Sequence, residues 1–521
     1  MLAPQVVSAL KAGLALAGLL FLVADRWAAR TGRLPWLTER RDDLLMGFGL
    51  LALLGWWDFQ SPTSSRFHRH ELFHYYLGAK YQAELGYTHL YKCAALAEAE
   101  QGARATVEGR WIRNLETNVI EPGHVALAGA AECTTRFSRE RWRAFDLDVA
   151  WLRAQLPADR WRALFIDHGY NATPVWTMAG TVLANLCPAG SDRIRWLARI
   201  DLVFLVGMWG LAWWAFGWRA ACVAALWWGT NHPARSHWTA GAFLRADWLL
   251  LLVASTAFLR RGWCLVGGMA LGYAMLLRIF PGFLAVGYLF TEGARMWNAR
   301  TWQPSRGFLR FAAGMALSLV LLVPLASWVN SGRVLDLDAW RDFTQNSRKH
   351  LGQTSTNRIG LKVVVAFDPE TRVSQTKDLW LDGPWDAWYA ARARTFEQRK
   401  PLFWLVVAAF LVLLAMATAG REPWVALILG AGLLPIAFEL SGYYYAFFLI
   451  YGLLWTRHAW VGPLLLAVST LGWLGVAIRD EIDEIFLVHS FLVVAYTLVT
   501  TAVLARRSTE RSTSALTSTP R

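Results

Sequence analysis

Charge is scarce in this chain. Only 17% of its 521 residues are Asp, Glu, Lys or Arg, while 55% are hydrophobic. A soluble protein of this size is roughly a quarter charged, so an ordinary soluble globule is excluded and a polytopic membrane protein is expected. Cysteine is scarcer still, with five residues and no metal spacing among them. Cys93 and Cys133 fall in one large polar loop, where a disulfide and two free thiols are both open readings. There is no P-loop and no Gly-rich nucleotide fingerprint. Internal repeats of the kind that mark many secondary transporters are missing too. The first apolar segment lacks a strongly basic leader and a small-residue cleavage site, so it reads as a retained helix.

What is abundant points the same way. There are 31 tryptophans, and Trp favours membrane–water interfaces. The net charge of +14 comes mostly from arginines in short loops between apolar segments. That is the positive-inside pattern, and nucleic acid is not expected as a partner.

The spans set the topology. Residues 1–57 hold two N-terminal spans, near 7–24 and 44–57, around a loop with Arg26, Arg30, Arg33, Arg40 and Arg41. That loop reads as cytoplasmic, so residues 58–196 form a first outer loop with surface helices, one of them at 171–186. A central bundle, 197–328, follows, with spans near 197–217, 220–232, 240–259, 262–278, 279–293 and 308–328. A second outer loop covers 329–400. C-terminal spans at 401–505 (402–419, 423–440, 443–456, 459–477 and 485–505) precede a Ser/Thr-rich tail, 506–521, expected to be disordered and cytoplasmic. The expected fold is all-α and polytopic, with about 12–13 transmembrane helices and two large outer loops. Its expected address is the bacterial inner (plasma) membrane, with the active face outside the cytoplasm.

Polar chemistry gathers at the outer lip. The stretch from Trp57 to Tyr91 packs Asp58, Glu71 and four histidines into about 35 residues. A carboxylate at the end of a span beside Trp57 is partly desolvated and so suited to general base work. His70-Glu71-Leu72-Phe73-His74 also matches HExxH, in which two imidazoles on one helix face hold zinc beside a glutamate. Further along, Asn231, His232, Arg235, His237, Arg245 and Asp247 cluster near an outer turn, and Arg278 ends an apolar helix at the same face. Arg is the natural phosphate ligand because its planar fork binds two oxygens. The second outer loop adds Asn346, Arg348, Lys349, His350, Asn357 and Arg358, and a late turn adds Glu439 and Tyr443 to Tyr445.

Together these features resemble the GT-C-fold membrane glycosyltransferases, and among them glycosyltransferase family 87, which uses polyprenyl-phosphate sugars. The resemblance is carried by Glu71-Leu72-Phe73-His74-Tyr75, then Gly86-Tyr87-Thr88-His89-Leu90-Tyr91, by Arg278-Ile279-Phe280-Pro281, and loosely by Asn357-Arg358-Ile359-Gly360-Leu361. It implies inverting transfer of a hexose such as mannose from a polyprenyl phosphate to a lipid, glycan or protein acceptor. Asp58 or Glu71 would be the base. Arg278, Arg245, Arg348 and Lys349 would meet the donor phosphate. His70, His74, Tyr75, Tyr91 and Asn357 would contact substrate. No cofactor is expected, with room left for a divalent metal. Two other classes stay open: an HExxH zinc hydrolase with His70 and His74 as ligands, and a polar-lipid transporter or flippase.

Overall fold

Helices dominate because the apolar runs are long and rarely broken by Pro or Gly. The computed structural model describes residues 2–60, 67–334, 336–351, 354–378 and 384–517, without the side chains of 350, 351 and 507–517. Among the described residues, six helices are long and apolar enough to cross a membrane: α1 (Pro4–Thr31), the segment Arg193–Phe216, and those at Arg306–Ser331, Asp386–Thr418, Val461–Ile478 and Ile482–Arg506. This is an all-α membrane protein, with two tiny antiparallel strand pairs among the described residues.

The other expected spans are shorter pieces packed among these six. Residues 44–57 correspond to α2 (Arg41–Trp56) and 220–232 to α3 (Trp218–Thr230). The expected span 240–259 is corrected: its helix, α4, is Asp247–Arg260, and residues 240–246 are a buried loop. The reason is local. Gly241 takes φ +82°, and the Asp201 carboxylate accepts the N–H groups of Arg245 (2.9 Å) and Ala246 (3.1 Å), holding that backbone out of the helix. Residues 262–278 form α5 (Cys264–Arg278), and 279–293 splits into a 3-10 turn and the helix Ala285–Asn298. Residues 423–456 break up into short helical pieces. The expected tail, 506–521, is described only in part. The last helix runs on through Thr517, since no Gly or Pro interrupts it, and residues 518–521 lie outside the described part.

Small residues set the closest packing. A Cβ on Gly229 of α3 would lie 1.9 Å from the Ala52 carbonyl of α2. One on Gly268 of α5 would lie 2.0 Å from the carbonyl of Phe311. Helix backbones that approach this closely in lipid gain van der Waals contact that larger residues forbid. The first contact places the C-terminal end of α2, and so Asp58, against the loop that follows α3.

The first large loop folds as a helical subdomain. Phe73, Tyr81, Tyr91, Phe145, Trp161 and Phe165 form its buried aromatic centre. Two buried ion pairs, Lys80–Asp148 (2.6 Å) and Arg110–Glu98 (2.7 Å), sit within it. Of the two readings of its cysteines, the disulfide holds: Cys93 and Cys133 are bonded, joining helix Leu90–Glu98 to helix Ala131–Arg136. Replacing both by Ser is expected to destabilise this subdomain by about 2–4 kcal/mol. Limited proteolysis of the variant would then be faster than that of the wild type, and equal rates would show that the bond adds nothing. The helix Pro174–Leu186 is short, as expected, and buries Trp176 while exposing Val182 and Leu186.

Candidate functional site

Asp58 follows the last turn of α2 at φ +56°. Its carboxylate accepts from Lys11 Nζ at 2.5 Å and from the Ser236 hydroxyl at 3.1 Å. Lys11 is 1% exposed, inside α1. The carboxylate is therefore matched to a buried ammonium, not simply desolvated against Trp57. Ser236 lies in the 231–246 loop, which the α2–α3 contact brings to it.

The same loop carries the second acid–base pair. Arg245 Nη2 meets Glu71 Oε1 at 2.8 Å, with both side chains largely buried (5% and 13% exposed). The Arg245 guanidinium also lies over the Tyr75 ring at 4.8 Å and the Tyr443 ring at 5.5 Å, a cation–π setting. Burial alone would raise the Glu71 carboxyl. Arg245, with His68, His70 and His74, outweighs it and holds the group below the usual range. Arg245 is correspondingly held well above its ordinary value by Glu71 and the nearby tyrosines, against the opposing effect of burial.

Arg278 approaches from α5. Its guanidinium lies 6.0 Å from the Trp176 ring, and its buried Nε and Nη2 have no hydrogen-bond partner among the described residues. Arg278 is half-buried and its Nη1 donates to the Leu277 carbonyl at 3.2 Å, so the two enclosed donors are what it could offer an anion. Backbone strain marks both arginines: Leu244 before Arg245 has φ +53°, and Ile279 after Arg278 has φ +47°. Such conformations cost of order 1–3 kcal/mol each and gather at functional sites.

Two cavities meet here. A chamber is lined by Trp56, Trp57, Asp201, Arg245, Tyr443 and Tyr444, among others. A slot of about 340 Å³ runs beside it between α2 and the helix Ile200–Phe216, walled by Leu53, Leu54, Leu202, Val206 and Trp209. Trp57, Leu202, Leu205 and Trp228 line both, so the apolar slot continues into the polar chamber. The slot's volume lies within the range of ligand pockets, roughly 300–1,000 Å³.

The remaining residues divide. Tyr75 joins the cluster, donating to Asn171 Oδ1 at 2.5 Å, and burial pushes its hydroxyl up to about 12. His70 meets Asp167 at 3.2 Å, and His74 bonds the Tyr91 hydroxyl at 2.8 Å. Asn357 sits where Arg358–Ile359 pairs with Leu440–Ser441, and its carbonyl accepts from Gly442 at 2.8 Å. Arg348 and Lys349, the other two expected phosphate ligands, lie on the second large loop. The helix Asp338–Leu351 turns Arg348 to its exposed face, and Lys349 donates to the Leu115 carbonyl at 2.6 Å. Three participants escape a reading of loops alone: Lys11, Asp201 and Trp176. Lys11 and Asp201 are charges inside apolar segments, a signal that marks function by default.

In the comparisons with known proteins, no family model, no curated protein and no solved structure matches the chain.

Proposed function

We propose that this chain is a membrane glycosyltransferase. It would move a hexose, possibly a mannose, from a polyprenyl phosphate to an acceptor at the outer face, within a GT-C-like arrangement of twelve or thirteen spans. The observation that carries the reading is the apolar slot that opens into a chamber holding Arg245 and two tyrosines. A lipid tail would fit the slot, and a phosphate at its end would meet Arg245 in the chamber. Tyr and Trp supply flat faces for a sugar.

In the step, a base takes the acceptor hydroxyl proton and the oxygen attacks the anomeric carbon. The sugar–phosphate bond breaks on the opposite side, and polyprenyl phosphate leaves with the bonding pair. We assign the base to Asp58, whose side chain is still 20% exposed. Glu71 has a fully enclosed Oε2 and is engaged by Arg245; its job is to hold that arginine in place. Arg245 and Arg278 stabilise charge building on the leaving phosphate. An outer location is supported by the disulfide, which belongs in an oxidising compartment. The loops with Arg260, Arg261 and Arg457 lie together around a separate cavity, as the positive-inside rule expects of the cytoplasmic side.

The zinc-hydrolase alternative is weakened at one point: the glutamate of HExxH is committed to Arg245 and so is not free to serve a metal-bound water. The slot gives the test. Leu202→Trp, which fills it, is expected to raise KM for long-chain donors by about tenfold or more, a loss of about 1.4 kcal/mol. Short-chain analogues should be nearly unaffected. An equal effect on both chain lengths would remove the slot from the reading.

A further inference from the structure

The turn that presents Glu71 to Arg245 presents two imidazoles elsewhere. We propose that His70, His74 and Asp167 form a binding site for one divalent transition metal of the zinc class. One ligand atom from each of the three lies within 4.8 Å of the others. His70 Nε2 and Asp167 Oδ2 are 3.2 Å apart, and the two imidazole rings have centroids 4.6 Å apart. Two imidazoles and a carboxylate are a donor set that zinc accepts, with a fourth position left for water.

The arrangement is preorganised. His74 Nδ1 bonds the His70 carbonyl at 2.8 Å, which is how a metal-bound imidazole commonly uses its second nitrogen. That leaves Nε2 as the ligand atom. Nε2 currently holds the Tyr91 hydroxyl, which also accepts the Gly169 N–H at 2.9 Å. On metal binding the hydroxyl keeps Gly169 and can turn its proton to a metal-bound water. The π-helical turn Leu72–Tyr76 sets this register, and such turns recur at functional sites. His70 and Asp167 are 45% and 40% exposed at their side chains, so an ion can enter from solvent.

Because Glu71 is paired with Arg245, the ion has no glutamate to activate its water. It acts as a clamp, tying the helix that bears Glu71 to the segment around Asp167. The site stands independently of the transferase reading.

The test is a Co²⁺ titration of the full chain in detergent after chelator treatment, followed by visible absorption and calorimetry, with Zn²⁺ as competitor. One saturable equivalent is expected, displaced by Zn²⁺. Affinity should fall at least tenfold in His70→Ala and Asp167→Asn, and stay unchanged in the exposed control His124→Ala. Tyr91→Phe, which frees Nε2, should bind at least as tightly as the wild type. X-ray absorption of the wild-type Co²⁺ complex should show two imidazoles and no sulfur, a readout that needs no variant to fold. No saturable binding, a sulfur-containing shell, or unchanged affinity in both His70→Ala and Asp167→Asn would overturn the site.

Discussion

Under the proposed function, Asp58→Asn is expected to lower sugar transfer by about 10²- to 10⁴-fold, the usual contribution of a positioned general base, while donor binding is retained. The substitution keeps the shape of the side chain and removes the proton acceptor. It also leaves Lys11 buried without its counter-charge, and breaking a buried pair is costly in its own right. The double variant Asp58→Asn with Lys11→Met separates the two effects. Replacing both charges should restore thermal stability toward the wild type and leave transfer abolished. If the double variant recovers transfer as well, Asp58 is a structural partner of Lys11 and the base lies elsewhere.

Arg245→Ala is expected to cost still more, because it touches stability and chemistry together. It leaves the largely buried Glu71 carboxylate unpaired, a loss of about 3–5 kcal/mol by the rule for breaking buried ion pairs. It also removes a guanidinium from the chamber where the leaving phosphate develops charge, worth about 10²- to 10³-fold in kcat. Arg245→Lys keeps a charge but loses the planar fork, so it should recover stability better than turnover. Glu71→Gln should act mainly through Arg245. Its effect on transfer should therefore be small once Arg245 is already gone, a non-additivity that a double-mutant cycle reads directly. Additive losses would mean that Glu71 meets the substrate itself.

Much of this was legible in the chain. Long apolar runs announce the six long helices found among the described residues. Glu71, Arg245 and Arg278 could each be picked out as polar groups at one face. Their pairing could not. Glu71 and Arg245 are far apart in sequence, and only the close packing of α2 on α3 at Gly229 brings the 231–246 loop over the first outer loop. Hydropathy also blurs short helices. Residues 240–246 are apolar enough to extend a span, yet Asp201 captures their backbone and makes them a loop. Lys11 was hidden by its neighbours, since a single ammonium scarcely alters the hydropathy of a 28-residue helix. For Arg348 and Lys349 the sequence shows only that they are basic, and the phase of the helix Asp338–Leu351 decides that Arg348 lies on its exposed face.

The most direct measurement is a transfer assay on purified protein in detergent, with radiolabelled polyprenyl-phosphate hexoses as donors and membrane extract as acceptor. The account predicts labelled product that persists in chelator, because the proposed step is assigned to Asp58, Arg245 and Arg278, and that vanishes in Asp58→Asn. No product from any donor, under conditions in which the protein remains folded, would contradict it.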